Sequence, residues 1–185
     1  MAERWIVTAL GQDRPGIVAG VTKALYTLGC NLEDSAMTRL EGEFAIMLIF
    51  EPPRRMRVEQ LRKAFEPLER RLKLAVHLKP LSRLETTKPI RRTRPYLISV
   101  YGADRPGIVF RVSELLANSG VNISDVETRR AASGAGRGQA SLYRMLLEVE
   151  VPPRVTAAAL EQQLLKLGRA LKVEVGLQAA EAQVL

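Results

Sequence analysis

The chain contains the same loop twice. Gly11, Asp13, Arg14, Pro15, Gly16, Ile17 and Val18 return in order and at the same spacing as Gly102, Asp104, Arg105, Pro106, Gly107, Ile108 and Val109. The correspondence continues through Val21 and Val112, Leu25 and Leu116, Gly29 and Gly120, Asn31 and Asn122, and Asp34 and Asp125. After a longer connection in the second copy it resumes at Pro52-Pro53 and Pro152-Pro153, then at residues 72–78 against 171–177. Self-similarity on this scale marks a duplicated module, and a repeated loop signature marks a repeated site. The expected organisation is a first module over 1–80, a basic linker over 81–94, a second module over 95–178 and a tail over 179–185.

With 185 residues, 46% of them hydrophobic, the chain can bury two modest cores but has no length for a separate catalytic domain. A non-enzyme is expected. No apolar stretch is long enough for a membrane span, and Met1 to Trp5 lacks the basic and apolar regions of a secretory signal, so a cytoplasmic location without membrane attachment is expected. The single cysteine, Cys30, excludes an intrachain disulfide and reads as a small apolar filler. His77 falls on the polar side of an alternating strand and reads as solvated. No metal-ligand spacing appears, and no cofactor is expected.

A formal charge of +8 raises the question of nucleic acid. One positive cluster, Arg54 to Arg71, is interleaved with Glu59, Glu66 and Glu69 on a helical pattern, which fits a solvated face with charge pairs. The other, Lys88, Arg91, Arg92 and Arg94, lies with Pro89 in the linker.

Each module reads strand, helix, strand, strand, helix, strand. The first is expected to have strands over 4–10, 31–40, 43–51 and 72–79 and helices over 15–28 and 55–70. The second is expected to have strands over 95–101, 122–130, 141–151 and 171–177 and helices over 106–119 and 155–167. Ile17, Val21, Leu25 and Leu28 form the buried stripe of the first helix, with Ile108, Val112 and Leu115 as its twin. In the later helices the stripes are Val58, Leu61, Phe65 and Leu68, with Pro67 able to kink or shorten the helix, and Leu160, Leu164 and Leu167, closed by Gly168. Nearly continuous apolar runs at 5–10 and 44–50 place the first and third strands at the centre of the sheet. Right-handed crossovers then give an α+β fold of two ferredoxin-like βαββαβ modules, each an antiparallel four-stranded sheet with two helices on one face. The other face carries apolar side chains that the sister module or a second subunit would cover.

Gly-x-Asp-Arg-Pro-Gly-Ile-Val after the first strand, followed by Gly-Cys-Asn-Leu in one copy and Gly-Val-Asn-Ile in the other, closely resembles the ACT domain family, and the resemblance covers most of the chain. Two such modules without a catalytic domain are most similar to the glycine cleavage system transcriptional repressor family. The resemblance implies a non-catalytic regulator that binds an amino acid such as glycine or serine near the loop between first strand and first helix. It also implies a homodimer and a regulatory partner protein such as a transcription activator. Carried over by position, the family's usual contacts fall on Gly11, Asp13 and Asn31 and on Gly102, Asp104 and Asn122. The binding segments then comprise Gly11, Gln12, Asp13, Arg14, Pro15 and Gly16 with Asn31, and Gly102, Ala103, Asp104, Arg105, Pro106 and Gly107 with Asn122. The single tryptophan, Trp5, is expected beside this site.

The residues support the same chemistry independently. A carboxylate at the amino end of the Pro15 or Pro106 helix would meet unpaired N–H groups and the positive end of the helix dipole. Asp13 or Asp104 would receive an ammonium, and Asn31 or Asn122 offers donor and acceptor to the same zwitterion. The same residues also suit purely structural roles: Asp13 as a helix cap, Asn31 in a turn, Gly16 in tight packing. Arg14 and Arg105 fit a loop or interface role better than a carboxylate clamp. The glycine-rich insertion over 131–139 opens no helix and has no Lys-Ser/Thr tail, so it reads as a mobile hairpin tip and a possible partner contact rather than a phosphate loop. The alternatives are a basic ferredoxin-like nucleic-acid-binding protein and a constitutive protein-interaction module without ligand. Direct nucleic-acid binding is disfavoured, because 44–50 lacks the aromatic pattern of an RNA-recognition module and aromatics make up only 5% of the chain.

Overall fold

The computed structural model describes residues 3–81, 93–131 and 142–180. Two compact units divide the chain, Met1–Pro89 and Ile90–Leu185. The first contains β1 (Trp5–Gln12), α1 (Ile17–Thr27), β2 (Asn31–Leu40), β3 (Glu43–Glu51), α2 (Val58–Leu72) and β4 (Ala75–Pro80). The second contains β5 (Arg94–Ala103), α3 (Ile108–Asn118), β6 (Asn122–Ala131), β7 (Leu142–Val151), α4 (Ala157–Leu171) and β8 (Val173–Ala179).

Each unit forms one antiparallel sheet, in the orders β2-β3-β1-β4 and β6-β7-β5-β8, with the first and third strands central as expected. Side chains alternate across a strand, so only one face of each central strand can meet the helices. In the first unit Trp5, Val7 and Ala9 of β1 and Phe44, Ile46, Leu48 and Phe50 of β3 pack with Ile17, Val21 and Leu25 of α1 and Leu61, Phe65 and Leu68 of α2. The second core repeats this with Ile98, Val100, Met145, Leu147 and Val149 against Ile108, Val112, Leu116, Leu160 and Leu164. The buried α3 residue is Leu116, one position beyond the expected Leu115. The spacing Ile108, Val112, Leu116 keeps strictly to i+4 and leaves Leu115 at the edge of the stripe.

The opposite sheet faces differ between the duplicates. In the first unit Leu10 and Met47 are half exposed there beside Ile6, Ala45 and Ile49. In the second, Leu97 and Tyr101 of β5 and Leu146 of β7 keep apolar positions, while Arg144 and Glu148 stand where Ala45 and Ile49 do.

The helices start two or three residues later than expected, and α2 and α4 run past their expected ends, so the last strands begin at Ala75 and Val173 rather than at 72 and 171. Pro67 neither shortens α2 nor sits against the core: it is on the exposed side, where the carbonyl its missing N–H leaves free can meet water, and the helix runs on to Leu72. Gly168 does not close α4. The helix continues to Leu171, and Gly168 is buried against β8, where an added Cβ would lie 2.9 Å from the Val173 carbonyl oxygen. Both helices end instead at a left-handed lysine, Lys73 and Lys172. Glu66 and Arg70 form the expected one-turn charge pair on α2 at 3.7 Å. The linker cluster at 88–92 and the glycine-rich insertion beyond residue 131 lie outside the described residues.

Candidate functional site

Both signature loops deliver the chain to a helix with no side chain at its cap. Gly16 and Gly107 hold the N-cap positions of α1 and α3 with φ of 93°, and neither helix has a side-chain cap bond. The first backbone bonds are from Gly20 N–H to Gly16 C=O and from Arg111 N–H to Gly107 C=O, each 2.9 Å. By contrast, Thr156 Oγ1 accepts from Ala159 N–H at the start of α4, and Gln60 Oε1 accepts from Arg57 N–H at the start of α2. Both helices that follow the repeated loop thus start with bare amides; α2 also lacks a side-chain cap bond, its Gln60 closing only the Arg57 N–H, and α4 alone among the described helices is capped. A Cβ on Gly16 or Gly107 would touch nothing within 4 Å, so it is the left-handed backbone that calls for glycine, and the space above the helix end stays open.

Asp13 does not cap α1. Its N–H donates to Gly42 C=O at 2.8 Å, fixing the loop to the β2–β3 hairpin, and its Oδ2 accepts from Arg39 Nη1 at 3.2 Å. Asp104 makes the equivalent pair with Arg130 Nε at 2.8 Å. In the first unit an open hollow of about 600 Å³ lies here, bounded by Asp13, Pro15, Gly16, Thr22, Met37 and Arg39, with Phe44 also in its wall. Arg14 is turned to Gln12, its Nη2 donating to Gln12 Oε1 at 2.9 Å.

The remaining expected residues are elsewhere. Gly11 and Gly102 underlie the start of the last strand: a Cβ would come 2.9 Å from Leu74 Cδ2 and from Val173 Cγ1 respectively, so close packing accounts for both. Asn31 opens β2, at the far end of that strand from Arg39, a separation of roughly 26 Å at 3.3 Å per residue. It lines a second hollow of about 550 Å³ with Ala19, Thr22, Lys23, Tyr26, Cys30 and Leu32. Ala19 and Thr22 border both hollows, which therefore continue one another between α1 and the edge strand β2. Asn122 donates from Nδ2 to Glu150 at 3.3 Å. Trp5 is at the opposite end of β1 from Asp13, with its ring buried beside Phe50 and Pro80 in the sheet register.

Arg39 and Arg130, which complete the charge pair, lie outside the segments that the sequence motif picks out. The signal was present, since they continue the spacing that relates Asn31 to Asn122 and Asp34 to Asp125. The copies also differ here: Phe44 is replaced by Tyr143, whose hydroxyl pKa is raised by burial and then by the nearby Asp104 carboxylate. Burial likewise raises the Cys30 thiol, as suits a filler packed against the core. His77 is exposed on the open sheet face. Among the described residues no group of His, Cys, Asp and Glu could hold a metal ion, and no helix is long and apolar enough to cross a membrane.

A βαββαβ sheet whose first loop leads into an uncapped helix is present twice in one chain, a tandem of ferredoxin-like modules. Models of the ACT domain match residues 3–79 and 96–164, and the chain belongs to that family. It is similar to the glycine cleavage system transcriptional repressor of Escherichia coli, 29% identical over 160 residues that cover 85% of this chain and 80% of that protein. A UPF0237 protein of Streptococcus mutans is 36% identical over 73 residues, covering 40% of this chain and 83% of its own length. Among solved structures, a protein of unknown function from Galdieria sulphuraria matches with a TM-score of 0.81 at 26% identity, covering 98% of this chain and all of that one.

Proposed function

We propose that this chain is a non-catalytic regulator that binds a small amino acid such as glycine or serine at its ACT modules and thereby controls a partner protein. The observation that carries the proposal is the repeated Asp–Arg pair beside an uncapped helix end. An amino-acid zwitterion needs an acceptor for its ammonium and donors for its carboxylate within a few ångströms of one another. Asp13 supplies the first, while Arg39 and the free amides at the start of α1 supply the second; Asp104, Arg130 and α3 repeat the set. The ligand would insert into an ion pair already formed, exchanging one charge contact for two.

In a homodimer, antiparallel pairing of β2 with the same strand of a second copy would bring Asn31 of one chain towards Asp13 of the other. The ligand would then bias the packing of modules, because it binds only one arrangement well. Similarity to the Escherichia coli glycine cleavage system transcriptional repressor supports a partner that controls transcription, for which the family resemblance implies an activator.

Thermal unfolding with each common amino acid in millimolar excess tests this reading. A ligand at 100 times its Kd adds about 2.7 kcal/mol of stability. A selective rise in Tm, lost in the Asp13→Ala/Asp104→Ala double variant, is expected. No rise with any amino acid would make the chain a constitutive protein-interaction module.

A further inference from the structure

The duplicates differ most usefully between their helices. In the first unit Gly20 lies at the crossing of α1 and α2: a Cβ there would come 2.8 Å from Leu68 Cδ2, so the glycine lets the helices close on each other. In the second unit the same position is Arg111, and the glycine has moved to the partner helix and the other interface. Gly168, which replaces Glu69, presses α4 onto β8, where a Cβ would come 2.8 Å from Val175 Cγ2. Between α3 and α4, with Arg111 at the position of that glycine, lies a groove of about 720 Å³.

Arg111 and Arg154 stand in the wall of this groove, and among the described residues neither guanidinium has a hydrogen bond or an ion pair. A Cβ on Gly120 would overlap the Arg154 guanidinium, so that side chain lies across the carboxyl end of α3, where the helix dipole favours a cation. The half-buried Leu115 and Leu167 supply an apolar lining, over Leu160 of the core. Glu114 is the acidic residue of the wall and pairs with neither arginine.

We infer that this groove docks an amphipathic helix of a partner protein, with acidic residues about two turns apart. Arg111 and Ser119 are separated by about 12 Å along α3 at 1.5 Å per residue. That is longer than a free amino acid but matches carboxylates seven or eight residues apart on a helix. A furrow between two helices receives the ridge of a third, whose leucine-type side chains would meet the apolar lining while its carboxylates meet the arginines. The chain's charge of +8 attracts such a segment from a distance. This inference does not rest on ligand binding at the signature loops.

The test uses the full chain and a fluorescein-labelled 18-residue peptide with leucine on one helical face and glutamate at seven-residue intervals, with a lysine-for-glutamate version beside it. Fluorescence anisotropy should show saturable binding of the glutamate peptide only. Arg111→Glu/Arg154→Glu should weaken it at least tenfold and gain the lysine peptide, whereas Arg62→Glu/Arg70→Glu on α2 should leave it unchanged. No saturable binding below 1 mM, or binding unaffected by reversal at 111 and 154, overturns the inference. Displacement by a single-stranded oligonucleotide, with equal binding of a serine-for-leucine peptide, would assign the arginines to phosphates and overturn it as well.

Discussion

Asp13 and Arg39 are 26 residues apart in sequence and 3.2 Å apart in the structure, and Asp104 and Arg130 reproduce the pair at 2.8 Å. An isolated exposed pair contributes little to folding, about 0–1 kcal/mol, and the Arg39 side chain is 66% exposed. The pair recurs in both duplicates beside the same uncapped helix end, as the proposed ligand site requires. Asp13→Ala should therefore move the urea midpoint only slightly, while removing the ligand-induced stabilisation contributed by the first module. Urea unfolding with and without the amino acid separates the two effects.

Gly16 and Gly11 should fail differently when changed to alanine. At Gly16 nothing hinders a Cβ, but φ of 93° does, at a cost of roughly 1–2 kcal/mol. At Gly11 the Cβ would lie 3.0 Å from the Lys73 carbonyl oxygen, and overpacking of this kind costs about 1–3 kcal/mol. Both variants should unfold at lower denaturant. A Gly11→Ala protein as stable as wild type would contradict the packing explanation for that glycine.

The raised pKa of Tyr143 carries a sign. Both folded and unfolded chains hold the phenol neutral at pH 7, so its shift does not affect stability there. Above the ordinary tyrosine value of 10.0 the unfolded chain ionises first, and stability falls as pH rises towards the higher folded value. Tyr143→Phe, which installs the residue of the first copy, should lessen that alkaline loss and leave neutral stability nearly unchanged. Denaturant midpoints at pH 7 and pH 10.5 compare the two proteins.

Trp5 is a poor reporter of the site. It lies roughly 26 Å along β1 from Asp13 at 3.3 Å per residue, and its ring is only 4% exposed. Its emission should stay constant during a ligand titration that calorimetry shows to saturate.

Much of the fold was legible because duplication doubles every local signal. The order of elements, the bounds Asn31–Leu40 and Glu43–Glu51 and the central strands follow from periodicity and turn residues. What escaped depends on tertiary approach. Gly168 looks like a stop near the end of a helical pattern, but its cause is the nearness of Val173 and Val175 on a strand that follows. Gly11 falls in the loop signature, whereas its neighbour in space is Leu74. The motif groups Asn31 with Asp13, but an extended strand carries it to the other end of the groove. Arg39 was visible as a repeat of Arg130, but its meeting with Asp13 needs the register of β2 on β3 to be known.

The most direct test is calorimetric titration of wild type and the Arg39→Ala/Arg130→Ala double variant with the amino acid that gives the largest thermal shift. Wild type should bind saturably, and loss of both guanidiniums should weaken binding at least tenfold while circular dichroism shows the fold retained. Equal affinity in the two proteins, or no binding to wild type, would contradict an amino-acid clamp built from the repeated Asp–Arg pair.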